Sequence, residues 1–241
     1  MQVPPQFERT EILIGQEGIA RLSGKHVFVA GAGGVGSYCT EALARAGIGR
    51  LTLLDCDVIV ASNINRQLPA LLSTVGRPKV ELMKSRILDI NPSCEVTVLQ
   101  TFLDRENVNE IVPEDSDYVI DCIDSLSSKE ALVAESYKRG LRVASSMGAG
   151  NRLDPSRIKV GDISKTLMCP LARQMRKRLV RHHGIRRGIL AVYSDENPRS
   201  PRPPEPTSQG RDRAVNGTIS YMPPLFGYML AGAVINRLLA E

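Results

Sequence analysis

The residues with the clearest chemical meaning form the glycine-rich run GAGGVGS, which starts at Gly31. Its G-x-G-x-x-G spacing, set by Gly31, Gly33 and Gly36, follows an apolar segment and precedes a helix-forming one. Glycines at these positions permit a tight turn and a close approach of the backbone to a phosphate. Because the following helix begins with free N–H groups and partial positive charge, the run predicts a phosphate-binding loop.

A carboxylate and two cations follow this loop. Asp55 lies 19 residues after Gly36, at the end of an apolar segment, where it can hydrogen-bond a ribose hydroxyl. The loop and Asp55 together fit NAD, FAD or ATP. Arg66 and Lys79 favour ATP, because cleavage between the α- and β-phosphates spreads negative charge that cations stabilise. A nicotinamide site has no general need for such cations.

Asp124 ends another apolar segment, YVIDCID. In parallel α/β sheets the ligand lies beside the carboxyl ends of the strands, so Asp124 is expected at the same sheet edge as Asp55. A carboxylate there can hold Mg²⁺ on the phosphates of a nucleotide. The convergence of these charges on one edge predicts an ATP site rather than a dinucleotide site.

Alternating apolar segments must supply the scaffold for these residues. We predict parallel strands over residues 26–31, 51–55, 94–99, 118–124 and 141–146, and helices over 37–46, 79–90, 128–137 and 170–180. An antiparallel strand over 157–163 and a final helix after Pro223-Pro224 complete the prediction. Strands that alternate with helices form βαβ units, so the order predicts a single α/β domain with a parallel sheet.

The overall composition of the chain is ordinary, but its charge is distributed unevenly between the N-terminal and C-terminal parts. The chain has 42% hydrophobic and 24% charged residues, which is ordinary for a globular domain. Its net charge of +5 combines −4 over residues 1–149 with +9 over residues 150–241, which favours an anionic partner such as nucleic acid. Within the one domain we expect an N-terminal arm (1–24), a nucleotide-binding core (25–150) and a basic substrate part (151–241) with a mobile proline-rich loop (194–216).

Basic side chains are densest between residues 173 and 187. They are Arg173, Arg176, Lys177, Arg178, Arg181, His182, His183, Arg186 and Arg187. We expect them to hold a nucleic acid backbone. His182 and His183 are adjacent, so we expect them to point in different directions and to make a poor metal pair.

Cysteine usage and hydropathy indicate the compartment. The five cysteines are an odd number and form no C-x-x-C pair, so we expect buried, reduced thiols and no zinc site. They are Cys39, Cys56, Cys94, Cys122 and Cys169. The chain has no run of 18 apolar residues and no secretory signal pattern. These features predict a cytoplasmic protein that does not bind a membrane.

Five motifs of the sequence resemble, in the same order, the nucleotide site of the ubiquitin-activating-enzyme-like adenylyltransferases. They are GAGGVGS, LLDCD, SNINRQ, GRPK and DCIDS. A finer resemblance covers nearly the whole chain. FERTEILIG, SSMGAGNRLDP, DISKT…PLA and GTISYMPPLFGYMLAG are similar to segments of the tRNA threonylcarbamoyladenosine dehydratases. The resemblance implies a homodimer with a Rossmann-like, mostly parallel sheet, helices on both faces and antiparallel C-terminal strands.

The resemblance also implies an activity. These dehydratases use ATP to close the side chain of N6-threonylcarbamoyladenosine, next to the anticodon of tRNA, through an acyl-adenylate. No protein nucleophile is required, because the attacking group belongs to the substrate. Cys169 stands where relatives are expected to carry an acidic residue, and we predict that it packs in the core or is a thiol in a loop, without a catalytic role.

Site residues can be assigned by the same resemblance. Gly31, Gly33, Gly34 and Gly36 would surround the phosphates, and Asp55 would bind the ribose. Asn63 and Arg66 would contact the triphosphate, Lys79 would bind it during adenylyl transfer, and Asp57 completes the cofactor-binding set. Asp124 would bind Mg²⁺. Arg9 would reach the ATP of the partner subunit, which would make a monomer inactive.

Three other functions stay open on the sequence. The chain could adenylylate the C-terminus of a small sulfur-carrier protein, act as an NAD(P)-dependent oxidoreductase, or bind nucleic acid without catalysis. The resemblance also leaves a monovalent cation as a candidate cofactor and a sulfur-transfer protein as a candidate partner.

Overall fold

The computed structural model describes residues 3–205 and 213–241. Its strands are β1 (His26–Ala30), β2 (Arg50–Leu54), β3 (Glu95–Leu99), β4 (Tyr118–Asp121), β5 (Val143–Ser146), β6 (Ile158–Asp162), β7 (Leu190–Ser194), β8 (Arg202–Glu205) and β9 (Arg213–Val215). Its helices are α1 (Glu8–Ser23), α2 (Gly36–Arg45), α3 (Lys79–Ile90), α4 (Val108–Ile111), α5 (Leu126–Lys138), α6 (Pro170–His183) and α7 (Met222–Leu239).

A seven-stranded sheet in the order β3-β2-β1-β4-β5-β7-β6 forms the centre of the protein. All neighbouring pairs are parallel except β6 and β7, which are antiparallel. A separate antiparallel pair, β8 and β9, falls within the predicted proline-rich loop, of which residues 206–212 lie outside the described part of the chain. The predicted α/β fold with antiparallel C-terminal strands is confirmed.

Both faces of the sheet are covered, as the side chains of β1 show. Val27 and Val29 pack in a core with residues of α2 and α7, whereas Phe28 and Ala30 pack in a second core with residues of α4 and α5. Successive side chains of a strand point to opposite faces, so a strand that is apolar throughout needs a helix layer on each side. A third core joins α5, α6, β5 and β7.

The strand order places a crevice next to β1. The chain runs outward from β1 through β2 to β3 and then returns to form β4 on the other side of β1. Connections leave β1 and β4 in opposite directions, so a gap opens outside their carboxyl ends. The loops after β1, β2 and β4, with the starts of α2 and α3, carry all the predicted site residues except Arg9 and meet at this gap.

Several elements differ from the prediction, and the short helix α4 was not predicted. Most of the expected N-terminal arm is the helix α1. Its hydrophobic periodicity in the sequence is weak, because the helix buries only Gly18, Ile19 and Leu22. β7 was not predicted, although it is buried between β5 and β6. β4 ends at Asp121, so Asp124 lies in the following loop. Within the described residues, no helix has both the length and the apolar character needed to cross a bilayer.

Candidate active site

In the glycine loop between β1 and α2, two glycines lie so close to backbone carbonyl groups that no side chain would fit. Gly31 has φ of +95°, and a Cβ atom there would lie 2.8 Å from the carbonyl oxygen of Cys122. A Cβ atom on Gly36 would overlap the carbonyl oxygen of Gly31. These two glycines therefore allow the loop to fold tightly beside β4 and let α2 begin at the crevice.

A cavity of about 710 Å³ lies outside the carboxyl ends of β1, β2 and β4. Nine of the predicted site residues line it: Gly31, Gly33, Gly34, Asp55, Asp57, Asn63, Arg66, Lys79 and Asp124. Gly36 is not among the lining residues, and it packs against the carbonyl group of Gly31; its contact with a phosphate stays a prediction. The structure thus gathers the separate motifs of the sequence around one space.

Asp55 connects the end of β2 to the glycine loop. Its Oδ2 accepts a hydrogen bond of 2.7 Å from the N–H of Ala32, and its Oδ1 accepts one of 2.9 Å from the N–H of Asp57. Burial raises the pKa of Asp55, and the nearby Lys79 charge opposes that shift. Each carboxylate oxygen retains a lone pair, so Asp55 can still accept a hydrogen bond from a ribose hydroxyl.

Lys79 is the first residue of α3, and its largely buried side chain lines the cavity. Its side chain is 6% exposed, and its Nζ lies 2.8 Å from Oδ2 of Asp57. The backbone N–H of Lys79 also donates to the carbonyl oxygen of Asp57 at 3.1 Å. Both contacts fix the start of α3 against the loop after β2 and keep the Lys79 side chain at the cavity.

Asn63 and Arg66 lie on a short turn beside the glycine loop. Oδ1 of Asn63 accepts a hydrogen bond of 3.2 Å from the N–H of Val60, which closes the turn. Nη1 of Arg66 donates to the carbonyl oxygen of Ser62 and to Oδ1 of Asn65, both at 2.8 Å. The guanidinium is thus held by its own loop and keeps further N–H donors for a ligand.

Gln67 was not assigned to the site from the sequence, although it ends the SNINRQ motif. It lines the cavity and is 8% exposed, and its Oε1 has no hydrogen-bond partner. A Cβ atom on Gly33 would lie 3.6 Å from its Nε2. A buried polar atom without a partner beside a phosphate loop indicates that a ligand completes this part of the cavity.

The ionic side chains of the cavity do not balance the charge of a triphosphate. Three carboxylates (Asp55, Asp57 and Asp124) face two cations (Arg66 and Lys79). A bare polyphosphate would therefore enter a site without net positive charge. Exposed carboxylate oxygens such as those of Asp124 are ligands that Mg²⁺ prefers, so the residues present fit a divalent ion that arrives with the nucleotide.

A buried ion pair lies beneath the loop that carries Asp124. The Nζ atom of Lys129 is 2.6 Å from Oδ2 of Asp121, and both side chains are completely buried. Lys129 also donates to the carbonyl oxygen of Ser146 at 2.9 Å, and Oδ1 of Asp121 accepts a hydrogen bond of 3.1 Å from the N–H of Ile123. The pair joins β4 to β5 and holds the loop after β4, and no motif in the sequence marks it.

Arg9 occupies a different place. It lies on the exposed N-terminal part of α1 and does not line the cavity of its own chain. The expectation that it acts on the ATP of a partner subunit therefore stays a prediction.

The basic segment is divided by the structure into two sets. Arg178, His182 and His183 all contact the buried carboxylate of Glu130, at 2.9, 2.7 and 3.1 Å. The expectation that His182 and His183 point in different directions is therefore wrong, because the packing of α6 on α5 brings both rings to one acceptor. The cationic Arg178 and Arg105 on the same carboxylate disfavour a metal ion there.

Removal of this carboxylate should reduce stability in a pH-dependent way. Burial tends to raise the pKa of Glu130, but hydrogen bonds from His182, Arg178 and His183 outweigh it and lower the pKa to about 2. The stabilisation is therefore complete above the ordinary pKa of 4.5 and disappears as the pH falls toward 2. We expect Glu130→Gln to cost roughly 1–3 kcal/mol at neutral pH in urea unfolding. The variant should also lose less stability than the wild type between pH 5 and pH 3, and parallel pH profiles would contradict this account.

The five cysteines are free thiols. Cys39, Cys94 and Cys169 are buried, and Cys169 packs in the core, the first of the two positions predicted for it. Cys122 is half-buried, and Cys56 is exposed, contrary to the expectation of buried thiols. Although Cys56 is exposed, partial desolvation of its thiol and the negative charges of Asp57 and Asp55 raise its pKa, so it is a poor nucleophile.

Comparison with known proteins gives a family. The model of the ThiF family matches residues 7–241. The chain belongs to the ThiF family. A Bacillus subtilis protein named tRNA threonylcarbamoyladenosine dehydratase is 43% identical over 243 residues, which cover 98% of this chain and 95% of that protein. The match confirms the resemblance seen in the motifs.

Solved structures agree with this assignment. Escherichia coli tRNA N6-threonylcarbamoyladenosine dehydratase in complex with ATP superposes with a TM-score of 0.87 at 34% identity, covering 98% of this chain and 94% of that one. The complex of the same protein with AMP gives a TM-score of 0.88 at 36% identity, with the same coverage. The relatives therefore share the whole fold of this ThiF family member, including the part after residue 150.

Proposed function

We propose that this protein is an ATP-dependent tRNA threonylcarbamoyladenosine dehydratase, which converts N6-threonylcarbamoyladenosine beside the anticodon into its cyclic form. The observation that carries the proposal is the near-complete match to the Bacillus subtilis dehydratase, which spans 98% of this chain. The cavity supports the same conclusion, because it combines a glycine loop with Arg66 and Lys79 at one sheet edge.

In the first step, the threonyl carboxylate attacks the α-phosphorus of ATP. A new O–P bond forms, the bond to the β-phosphate oxygen breaks, and pyrophosphate leaves. Arg66 and Lys79 stabilise the negative charge that develops on the phosphates, and Asp55 orients the ribose. Asp124 would hold Mg²⁺, which neutralises phosphate charge when bound.

In the second step, the carbamoyl group of the same side chain attacks the activated carbonyl. The bond between that carbonyl and the AMP oxygen breaks, AMP leaves with the oxygen of the former carboxylate, and the attacking group loses its proton. The net change is the loss of one water. Because both groups belong to one side chain, proximity contributes up to ~7–11 kcal/mol in well-oriented cases.

We propose that the active form is a homodimer in which Arg9 completes the site of the partner subunit. Ile12 and Leu13, on the same part of α1, are 81% and 85% exposed, and large aliphatic side chains in this state favour a protein contact. Free cysteines and a tRNA substrate favour the cytoplasm. A monovalent cation and a sulfur-transfer protein remain candidates for a cofactor and a partner.

Neither enzymatic alternative is favoured. Activation of a sulfur-carrier protein would use the same cavity, but the match to the dehydratases also covers the C-terminal segments outside the nucleotide site. An NAD(P)-dependent oxidoreductase gives no role to Arg66 and Lys79, which line the cavity together.

Mass analysis of nucleosides tests the proposal. Purified protein is incubated with ATP, Mg²⁺ and tRNA that carries N6-threonylcarbamoyladenosine, and the tRNA is then digested under mild conditions. The expected product is lighter than the substrate nucleoside by one water molecule and appears only when ATP is present. An unchanged nucleoside, with ATP consumed only when a small carrier protein is added, would favour the sulfur-carrier alternative instead.

A further inference from the structure

The stretch from Ile163 to Ser194 contains eight Lys and Arg residues and no Asp or Glu. Its helix, α6, packs on α5, β5 and β7 through Ala172, Met175 and Leu179. The basic side chains therefore divide between an inner side, which faces the core, and an outer side, which faces solvent.

The inner basic side chains have protein partners. Arg178, His182 and His183 share Glu130, as described above, and Arg176 donates to the carbonyl oxygen of Thr166 at 2.9 Å. These contacts fix the orientation of α6 on the domain. These side chains already have partners within the protein, so we do not expect them to be the main groups that bind a separate anionic partner.

The outer basic side chains form what we call the α6 stripe: Arg173, Lys177 and Arg181. All three are exposed, and none forms a salt bridge with a side chain of residues 3–202 or 216–241. They are spaced four residues apart, so they follow one line along the helix with a rise of about 6 Å between neighbours. A groove of about 480 Å³ beside them is lined by Gln174, Lys177, Arg178, Arg181 and His182.

Helix stability does not explain the α6 stripe. Like charges four residues apart destabilise a helix by about 0.2–0.5 kcal/mol per pair. Arg173 lies in the first turns of α6, where the helix dipole disfavours a cation. An arrangement that costs stability in the free protein indicates an anionic partner that offsets the cost on binding.

The α6 stripe starts beside the nucleotide cavity. A Cβ atom on Gly148 would lie 3.8 Å from Sγ of Cys169 and 3.9 Å from Cβ of Leu171, so the start of α6 contacts the segment that contains Gly148. Ala149 and Gly150, the next residues of that segment, line the cavity. A chain of anions held along α6 would therefore lead to the site of adenylyl transfer.

We propose that the α6 stripe binds successive backbone phosphates of the tRNA substrate and so delivers the modified nucleoside to the ATP cavity. The inference rests on the proposed function for the identity of the RNA. Regular spacing and the absence of apolar side chains from the groove suit the phosphodiester backbone of RNA better than an acidic protein surface.

Neutralisation of the α6 stripe tests the proposal. The variant Arg173→Gln/Lys177→Gln/Arg181→Gln is compared with the matched control Lys84→Gln/Lys138→Gln/Lys159→Gln, which changes net charge equally on α3, α5 and β6. Binding of modified tRNA is measured from low to high salt, and ATP binding is measured as a check of the fold. We expect the stripe variant to bind tRNA roughly 10- to 100-fold more weakly, with a salt slope shallower by about 2–3, and the control to resemble the wild type.

Two outcomes would overturn the proposal. One is a stripe variant with the tRNA affinity and salt slope of the wild type. The other is intact tRNA binding with lost turnover, which would point to a different partner for α6. If wild-type protein leaves the modified nucleoside unchanged while the binding results are as expected, the proposed reaction fails and the RNA-binding surface stands.

Discussion

Replacement of Lys79 by alanine is expected to lower turnover by roughly 10²- to 10³-fold and to leave the fold intact. The ammonium group lies in the cavity at the start of α3, where charge develops on the leaving pyrophosphate in the proposed reaction. The fold should tolerate the change because the carboxylate of its partner, Asp57, is 62% exposed and stays hydrated alone. Steady-state turnover with ATP and modified tRNA is the measurement.

Two comparisons make this result specific. Lys84→Ala removes a lysine from the same helix, outside the cavity lining, and should keep wild-type turnover. Arg9→Ala should also be folded and weakly active. If Arg9 acts across a dimer, mixing Arg9→Ala with Lys79→Ala protein restores part of the activity, because one of the two sites in a mixed dimer is then intact. Near-normal turnover of Lys79→Ala would contradict the assigned role, and no recovery on mixing would contradict the intersubunit role of Arg9.

The largest loss of stability is expected from Lys129→Met. The change leaves the fully buried carboxylate of Asp121 without its cation, and breaking a buried pair in this way costs about 3–5 kcal/mol. The hydroxyl of Ser145 and the N–H of Ile123 also bind Asp121, but neither supplies a compensating charge. The free energy of unfolding in urea measures the effect.

A double-mutant cycle separates charge from packing. Asp121→Asn removes the negative charge and keeps the side-chain size, so Lys129→Met/Asp121→Asn should be more stable than the sum of the single changes predicts. Additive losses, or a loss below about 1 kcal/mol for Lys129→Met, would show that the two groups are not paired as charges.

The site was predictable where a chemical motif directly follows a strand. Asp55 and the glycine loop adjoin β2 and β1, and parallel strands bring their carboxyl ends to one edge, so local sequence was enough to place them in a cavity. Asp124 was found for the same reason, although it lies three residues beyond the end of β4. The parallel sheet could be predicted because its central strands are buried on both faces and therefore appear in the sequence as continuous apolar segments.

Other features depend on contacts that no local pattern records. Lys129 and Glu130 are adjacent in the sequence, yet one is buried under the cavity and the other holds α6. His182 and His183 meet on Glu130 only because α5 and α6 pack side by side. Identification of these roles required the packing of elements that are far apart in the chain.

The contact between Lys79 and Asp57 has a consequence for anion selectivity. The ammonium already has a counter-ion at 2.8 Å, so an incoming anion must displace an intramolecular partner instead of neutralising a vacant charge. Small inorganic anions gain little from such an exchange. If ATP binds as proposed, it is also anchored through its ribose and its other phosphates and can complete the exchange, so the contact would favour a whole nucleotide over a small anion.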